Sequence, residues 1–173
     1  MAEDALLRTS EDSFSSEPAD DPLVFVRFFA DRKYIEHLRE ICAFVVGARC
    51  GGIEVAQRTR VVVHEVVENA VKYADRSRCR ELSLQICSNG GNMTISVSSV
   101  PEPNHLARLK AELNHLYSRD AKAAYVEAFR RAASMTVGSP RIGLARVRYE
   151  GDVDLSVIEE DGGRIRVTAT GKL

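Results

Sequence analysis

The sequence predicts an α+β fold, a two-layer α/β sandwich in which helices cover one face of a mostly antiparallel sheet. Three observations support this prediction. A short apolar run stands near the start of the chain, two long stretches with helical periodicity follow it, and two later stretches alternate apolar and polar residues around glycine-rich turns. The predicted order is therefore strand, helix, helix, hairpin, helical insert, short helix and hairpin.

The first strand and the two helices come from residues 22–74. Residues 23–29 are β-branched, aromatic or apolar almost throughout, so we expect a strand that is buried on both faces. Residues 31–48 carry apolar side chains at helical spacing, and Gly51-Gly52 breaks the chain before a second helix from about Ile53 to Ala74. The spaced apolar residues of the first helix are Ile35, Leu38, Cys42 and Val45.

The second half of the chain carries the two hairpins and the insert between them. The first hairpin turns at Asn89-Gly90-Gly91-Asn92 and the second at Asp161-Gly162-Gly163. The insert is helical, with an interruption at residues 118–120. Its leucine stripe is typical of a helix that packs in the core. The same stripe would also suit the interface of a homodimer. The stripe consists of Leu106, Leu109, Leu113 and Leu116.

Length and composition bound the function. The chain has 173 residues, 45% of them hydrophobic, and a formal net charge of −1 at pH 7. This length suits one domain, which we place at residues 22–173, and the charge gives no reason to expect a nucleic-acid or membrane partner. No apolar run approaches the roughly 20 residues of a membrane span, and no signal peptide is recognisable. We therefore expect a cytoplasmic protein.

Residues 1–21 differ in composition from the rest of the chain. They are rich in Ser, Asp and Glu, and Arg8 is the single basic residue among them. Such a segment has too few apolar side chains to form a core, so we expect a disordered acidic tail. The four cysteines include no Cys-x-x-Cys pair, which favours free thiols over a zinc site or a disulfide framework.

The most informative stretch is the second helix. Glu65, Asn69, Lys72 and Tyr73 stand at i, i+4, i+7 and i+8, so a helix places all four on one face. A carboxylate and an amide oxygen one turn apart suit proton transfer and a divalent cation, and an ammonium group one turn further suits a phosphate. An ordinary amphipathic helix with a solvated polar face would show the same spacing.

Residues 65–73 resemble the N-box of the GHKL superfamily of ATPases, whose Bergerat fold occurs in histidine kinases, gyrase, Hsp90 and anti-sigma-factor kinases. The family pattern Glu-x-x-x-Asn-Ala-x-Lys-Tyr is matched at every fixed position. The resemblance implies ATP and Mg²⁺ as cofactors, with Glu65 as the catalytic general base and Asn69 as the metal ligand. It also implies nucleotide-binding roles for Lys72 and Tyr73.

Both glycine boxes of the family are degenerate here. The second box resembles Gly138-Ser139-Pro140-Arg141-Ile142-Gly143-Leu144, in which Gly138, Gly143 and Leu144 match. Pro140 has no N–H to offer a phosphate, whereas the Arg141 guanidinium suits one. The resemblance implies cofactor-binding roles for Gly138, Arg141 and Gly143. At the first box, residues 98–103 lack the Asp that recognises adenine in the family, and Glu102 is the nearest carboxylate.

These departures resemble the SiaB-like branch, which is related to the anti-sigma-factor serine kinases. The resemblance implies a kinase that phosphorylates a serine or threonine of a STAS-domain anti-sigma-factor antagonist in a partner-switching pathway. The alternative is a pseudokinase that keeps the fold as a protein-binding module, with weak or no ATP binding. The intact Glu65–Asn69 pair favours the kinase, and Pro140 with the missing Asp favours the pseudokinase.

Overall fold

This computed structural model describes residues 22–134 and 142–172 of the chain. These residues fold into five strands and five α-helices. The strands are β1 (Val24–Phe29), β2 (Glu81–Asn89), β3 (Asn92–Ser99), β4 (Asp154–Glu160) and β5 (Arg164–Lys172). The helices are α1 (Lys33–Cys50), α2 (Gly52–Lys72), α3 (His105–Tyr117), α4 (Ala121–Ser134) and α5 (Gly143–Glu150). This order confirms the predicted α+β fold. The predicted tail at residues 1–21 and the first four residues of the predicted glycine-rich loop, 138–141, lie outside the described residues.

The strands form one sheet in the order β1-β2-β3-β5-β4, and every neighbouring pair is antiparallel. Gly90 and Gly91 connect β2 to β3 with φ values of 56° and 81°, which glycine adopts without steric cost. Alternate residues of each inner strand are buried against the helices, as the period-two pattern predicts. In β2 and β3 these residues are Leu82, Leu84, Ile86, Met93, Ile95 and Val97.

Helix α2 is the centre of the helical layer. Its buried side contacts β2 and β3, and α1 and α5 flank it. Seven side chains of α2 are buried, and burying a valine contributes about 1.5–3 kcal/mol. They are Val55, Thr59, Val62, Val63, Val66, Val67 and Val71. A Cβ atom on Gly47 of α1 would lie 2.8 Å from the Ala56 Cβ atom, so glycine allows the two helices to approach closely.

The prediction that the first strand is buried on both faces is wrong. β1 stands at one edge of the sheet, and its side chains alternate between the core and solvent. Val24 and Phe28 are buried, whereas Phe25 and Phe29 are 53% and 61% exposed. An apolar run resembles a central strand in sequence, because the sequence does not say which strand has no second neighbour.

The helical insert folds as α3 and α4, with the predicted interruption at residues 118–120. Leu109, Leu113 and Leu116 are buried in the same core as the sheet, so the leucine stripe packs within the chain. Helix α4 is covered much less. Ala124 is its buried residue, and Phe129 is 58% exposed.

Neither a disulfide nor a membrane-spanning helix occurs in residues 22–134 and 142–172. Cys42, Cys50, Cys79 and Cys87 are free thiols, and burial raises the pKa of the Cys42 thiol to about 11. No helix in this part of the chain is both long and apolar enough to cross a bilayer.

Candidate functional site

The polar face of α2 carries the residues that the sequence singles out. Because the valines of α2 are buried against the sheet, Glu65, Asn69 and Lys72 are turned away from it. The exposure of these residues rises along the helix. The Glu65 side chain is 12% exposed, Asn69 is half-buried and Lys72 is exposed. The face therefore runs from an enclosed end at Glu65 to an open end at Lys72.

Glu65 is enclosed by α5. The guanidinium of Arg146 donates a hydrogen bond from Nη1 to Glu65 Oε1 at 3.2 Å. The backbone of Gly143, at the first turn of α5, covers the other oxygen, because a Cβ atom built on Gly143 would lie 2.6 Å from Glu65 Oε2. A larger residue at this position would displace the carboxylate. The structure thus brings together two of the predicted site residues, Glu65 and Gly143.

Arg146 links Glu65 to α4. Its Nε atom donates to Glu150 Oε2 at 2.8 Å, and the hydroxyl of Tyr125 donates to Glu150 Oε1 at 2.7 Å. Tyr125 in turn stacks on Tyr149, with ring centroids 5.1 Å apart. The carboxylate of Glu65 is therefore the end of a connected series of polar contacts across three helices. Polar groups that hold one another in this way fix the orientation of each member.

The environment shifts the pKa of Glu65 upward. Burial, which disfavours the charged carboxylate, is the largest cause, and electrostatic interactions with His64 and Arg146 oppose it. For Glu150, burial also acts upward, but hydrogen bonds from Arg146 and Tyr125 outweigh it and lower the pKa of that carboxyl group. Two carboxylates that share one arginine thus have pKa shifts of opposite sign. Glu65 is the better proton acceptor of the two.

The open end of the α2 face is aromatic. The Tyr73 ring stacks on the ring of His105 at the start of α3, with centroids 4.0 Å apart and planes 17° apart. Two cations lie near the same tyrosine ring, Lys72 Nζ at 5.2 Å and Arg108 Cζ at 5.4 Å from its centroid. His105 is buried, so the stack also anchors α3 to the end of α2. Lys72 and Tyr73, two predicted site residues, contact each other here.

The segment after β3 lies against this aromatic end. Glu102 N–H donates to the Tyr73 carbonyl oxygen at 2.8 Å, and Asp75 N–H donates to the Val100 carbonyl oxygen at 2.8 Å. Pro101 forms a β-bridge with Ala74. The Glu102 side chain is exposed. Residues 100–102 are thus tied to the end of α2 by their backbone.

Sequence reasoning missed three residues around this face. Arg146, His105 and Arg108 come from α5 and α3, and Arg146 is separated from Glu65 by 81 positions. The spacing of Arg146 and Glu150 at i and i+4 indicates a helical ion pair, but it does not indicate Glu65 as a third member. Two predicted site residues, Gly138 and Arg141, lie outside the described residues.

The α2 face fits the phosphate end of a nucleotide in part. Asn69 supplies an amide oxygen, Lys72 an ammonium group, and Gly143 lets the start of α5 lie directly against Glu65. Residues 22–134 and 142–172 contain no group of three or more His, Cys, Asp or Glu residues that would hold a metal ion by themselves. Glu65 is already paired with Arg146, so a magnesium ion would rest on Asn69 and on phosphate oxygens.

Comparison with known proteins supports the fold. No family model and no curated protein matches this sequence. Among solved structures, the chain is similar to one in the crystal structure of the SiaB–SiaC complex from Pseudomonas aeruginosa, with a TM-score of 0.63 and 19% sequence identity. The match covers 88% of this chain and 91% of that chain. At this identity the likeness shows the fold alone, and the protein therefore has a SiaB-like α+β fold.

Proposed function

We propose that this protein is an ATP-dependent kinase of the GHKL type that phosphorylates a serine or threonine of a STAS-domain partner in a partner-switching pathway. One observation carries the proposal. The Glu65 carboxylate is enclosed between Arg146 and Gly143, with its pKa raised by burial. A carboxylate whose pKa is raised is a better general base, provided that a neighbouring group holds its orientation.

Each residue of the α2 face has a role in this proposal. ATP with Mg²⁺ would supply the γ-phosphoryl group and neutralise its charge. Glu65 accepts the proton of the incoming hydroxyl, while Arg146 holds its carboxylate through Oε1. Asn69 would contribute its amide oxygen to the metal, and the exposed Lys72 would attract phosphate oxygens. Positioning and charge stabilisation dominate phosphoryl transfer, so the orientation that Arg146 gives Glu65 contributes alongside its raised pKa.

The choice of partner rests on the fold and on the resemblance of the sequence. One similar solved structure is that of the SiaB–SiaC complex. We infer that this chain also acts on a partner protein, and the resemblance to the SiaB-like branch makes a STAS-domain antagonist the expected partner. The proposal places this regulatory step in the cytoplasm.

A pseudokinase is the second candidate, and the same contacts supply the observation that favours it. The hydrogen bond from Arg146 already occupies one oxygen of Glu65, and the α5 backbone covers the other. Glu65 would then be a structural ion-pair partner that holds α5 against α2. In that case the protein would bind its partner without transferring phosphate.

Nucleotide binding is the first test. We expect ATP with Mg²⁺ to raise the melting temperature more than ATP with a chelator does, because a ligand of the folded state stabilises it by mass action. Asn69→Ala should abolish the difference. Gln57→Ala is the matched control, since it removes the amide of another α2 residue on the exposed part of the helix. If Asn69→Ala binds magnesium-ATP as the parent does, Asn69 is not the metal ligand.

Phosphoryl transfer separates the two candidates. In a kinase, Glu65→Gln should retain nucleotide affinity and lose transfer of radiolabelled phosphate to the partner, because Glu65 acts in the transition state. Robust transfer by Glu65→Gln would refute the role of Glu65 as the base. Absence of transfer by the parent, with partner binding intact, would establish the pseudokinase.

A further inference from the structure

Helix α4 is joined to the described residues around it mainly through α5 and α3. Its apolar contacts are few, since Ala124 is its buried residue and Phe129 is 58% exposed. Toward α5 it presents a polar contact instead. The hydroxyl of Tyr125 donates a hydrogen bond to Glu150 Oε1 at 2.7 Å. The placement of α4 against α5 is therefore linked to one particular carboxylate.

Arg146 lies between two carboxylates that belong to different helices. Its Nε atom donates to Glu150 Oε2 at 2.8 Å within α5, and its Nη1 atom donates to Glu65 Oε1 at 3.2 Å on α2. The Arg146 side chain is long and 42% exposed, so its guanidinium has room to turn toward solvent. The shorter bond to Glu150 restrains it. Glu150 thus determines whether the guanidinium of Arg146 is directed at Glu65.

Tyr125 in turn restrains Glu150. Its hydroxyl occupies Oε1 of that carboxylate, which leaves Oε2 for Arg146. The Tyr125 ring stacks on the Tyr149 ring, with centroids 5.1 Å apart, and the stack limits the movement of the hydroxyl. Burial acts to raise the pKa of Glu150, but hydrogen bonds from Arg146 and Tyr125 outweigh it and lower that pKa. Glu150 therefore stays charged and keeps its hold on Arg146.

We propose that Tyr125 and Glu150 are positioning residues for Glu65, and that through Arg146 they couple the placement of α4 to the orientation of the Glu65 carboxylate. Displacement of α4 removes the hydrogen bond of Tyr125, lets Glu150 turn and releases Arg146 from Glu65. The catalytic consequence rests on the proposed kinase function. The coupling between α4 and Glu65 rests on the contacts alone, and it is tested without phosphoryl transfer.

The pKa of Glu65 reports the orientation of Arg146. Burial raises this pKa, electrostatic interactions with His64 and Arg146 oppose the rise, and Glu68 adds to it. His64 and Glu68 lie on α2 itself, with His64 Nε2 at 4.0 Å from Glu68 Oε2, whereas Arg146 lies on α5. Among these groups, Arg146 is the one connected to α4. A change in α4 should therefore alter the pKa of Glu65 through Arg146.

Carboxyl-carbon NMR of the isotope-labelled full chain measures the pKa of Glu65, whose signal is identified by its loss in Glu65→Gln. Tyr125→Phe should raise this pKa, because a less restrained guanidinium opposes burial less. Glu150→Gln should lower it, because the side-chain amide oxygen still accepts from Arg146 Nε while the arginine charge acts on Glu65 alone. Tyr149→Phe is the control, since it keeps the stacked ring, and it should leave the pKa unchanged.

The opposite directions of the two shifts are the signature of positioning, because a merely structural loss would not move the pKa of Glu65 in opposite directions. A pKa that either Tyr125→Phe or Glu150→Gln leaves at the parent value would overturn the proposal. So would shifts of the same sign in both variants.

Displacement of α4 by packing tests the coupling without changing a polar group. Ala124→Leu overpacks the buried contact of α4 and should raise the pKa of Glu65, as Tyr125→Phe does. Ala124→Val makes a smaller insertion and takes its place if the leucine variant does not fold, which amide NMR spectra show. Ala123→Leu is the matched control at an exposed position of the same helix. An unchanged pKa in the larger Ala124 variant that folds would overturn the coupling.

Phosphoryl transfer tests the catalytic consequence separately. In a kinase, Tyr125→Phe should lower kcat by about tenfold and leave KM for ATP unchanged, because Tyr125 orients the base and leaves nucleotide binding as it is. An active parent whose kcat Tyr125→Phe leaves intact would overturn the positioning role in catalysis. A parent that transfers no phosphate would refute the proposed kinase function, and the pKa of Glu65 in the same variants would still decide the coupling.

Discussion

The two ends of the α2 polar face differ in how they are built. At Glu65 the contacts are charged and enclosed, with Arg146 on one oxygen and the Gly143 backbone against the other. At Tyr73 the contacts are aromatic and open, with a stacked histidine ring beneath and two cations near the ring. The enclosed end therefore depends on charge and on close backbone approach, and the open end depends on ring contacts. Variants at the two ends should therefore lose stability for different physical reasons.

The largest difference in stability between the two ends should come from removing the guanidinium at the enclosed end. Arg146→Met leaves the buried Glu65 carboxylate without its partner, and we expect the free energy of unfolding to fall by about 1–2 kcal/mol. The loss stays below that of a fully buried pair because the Arg146 side chain is 42% exposed. Lys72→Met is the matched change at the open end and should cost less than about 0.5 kcal/mol. Urea unfolding measures both, and equal losses would remove the distinction between the ends.

The second-largest effect on stability should come from the close approach of α5 to α2. Gly143→Ala introduces a Cβ atom against Glu65 Oε2 and should destabilise the protein unless the carboxylate moves. In a Glu65→Ala background the contact is absent, so the same alanine should stabilise α5 through its helix propensity. The coupling between the two positions should be about 1 kcal/mol in a double-mutant cycle. Strictly additive effects would show that Gly143 does not constrain Glu65.

A smaller loss of stability is expected for variants at the aromatic end. Tyr73→Leu removes the stack on His105 and should cost about 0.5–1 kcal/mol. Tyr73→Phe keeps the ring and should stay within about 0.5 kcal/mol of the parent. Chemical denaturation of both variants checks the prediction. A loss for Tyr73→Phe as large as that for Tyr73→Leu would mean that the hydroxyl, not the ring, stabilises this end.

The smallest effect is a pH dependence confined to the enclosed end. Because the pKa of Glu65 is raised on folding, its contribution to stability is fully present below its usual value of 4.5 and is lost as pH rises through the folded-state pKa. Glu65→Gln cannot ionise, so its stability relative to the parent should increase with pH above 4.5. Unfolding measured from about pH 4 to about pH 8 tests this. A relative stability that falls with pH would mean that Arg146 outweighs burial and lowers the pKa of Glu65.

Local sequence patterns predicted the strands, helices and turns better than they predicted which elements lie next to one another. The two-residue turn at Gly90-Gly91 and the break at residues 118–120 follow from the chemistry of adjacent residues, and both are confirmed. The burial of β1 was predicted wrongly, because its apolar run does not reveal that the strand lies at an edge. The roles assigned to Asn69, Lys72 and Tyr73 remain predictions, as does the boundary at residue 22.

Local sequence patterns are sufficient to predict the order of strands and helices and the polar face of α2. Both depend on periodicities of two and 3.6 residues, which are properties of the local backbone. Tertiary packing is what encloses Glu65 between Arg146 and Gly143 and places His105 against Tyr73. These partners come from helices distant along the chain, and no local pattern encodes which helices the sheet brings together. The chemistry available to Glu65 depends on those contacts, because burial and the neighbouring guanidinium set the pKa of its carboxyl group.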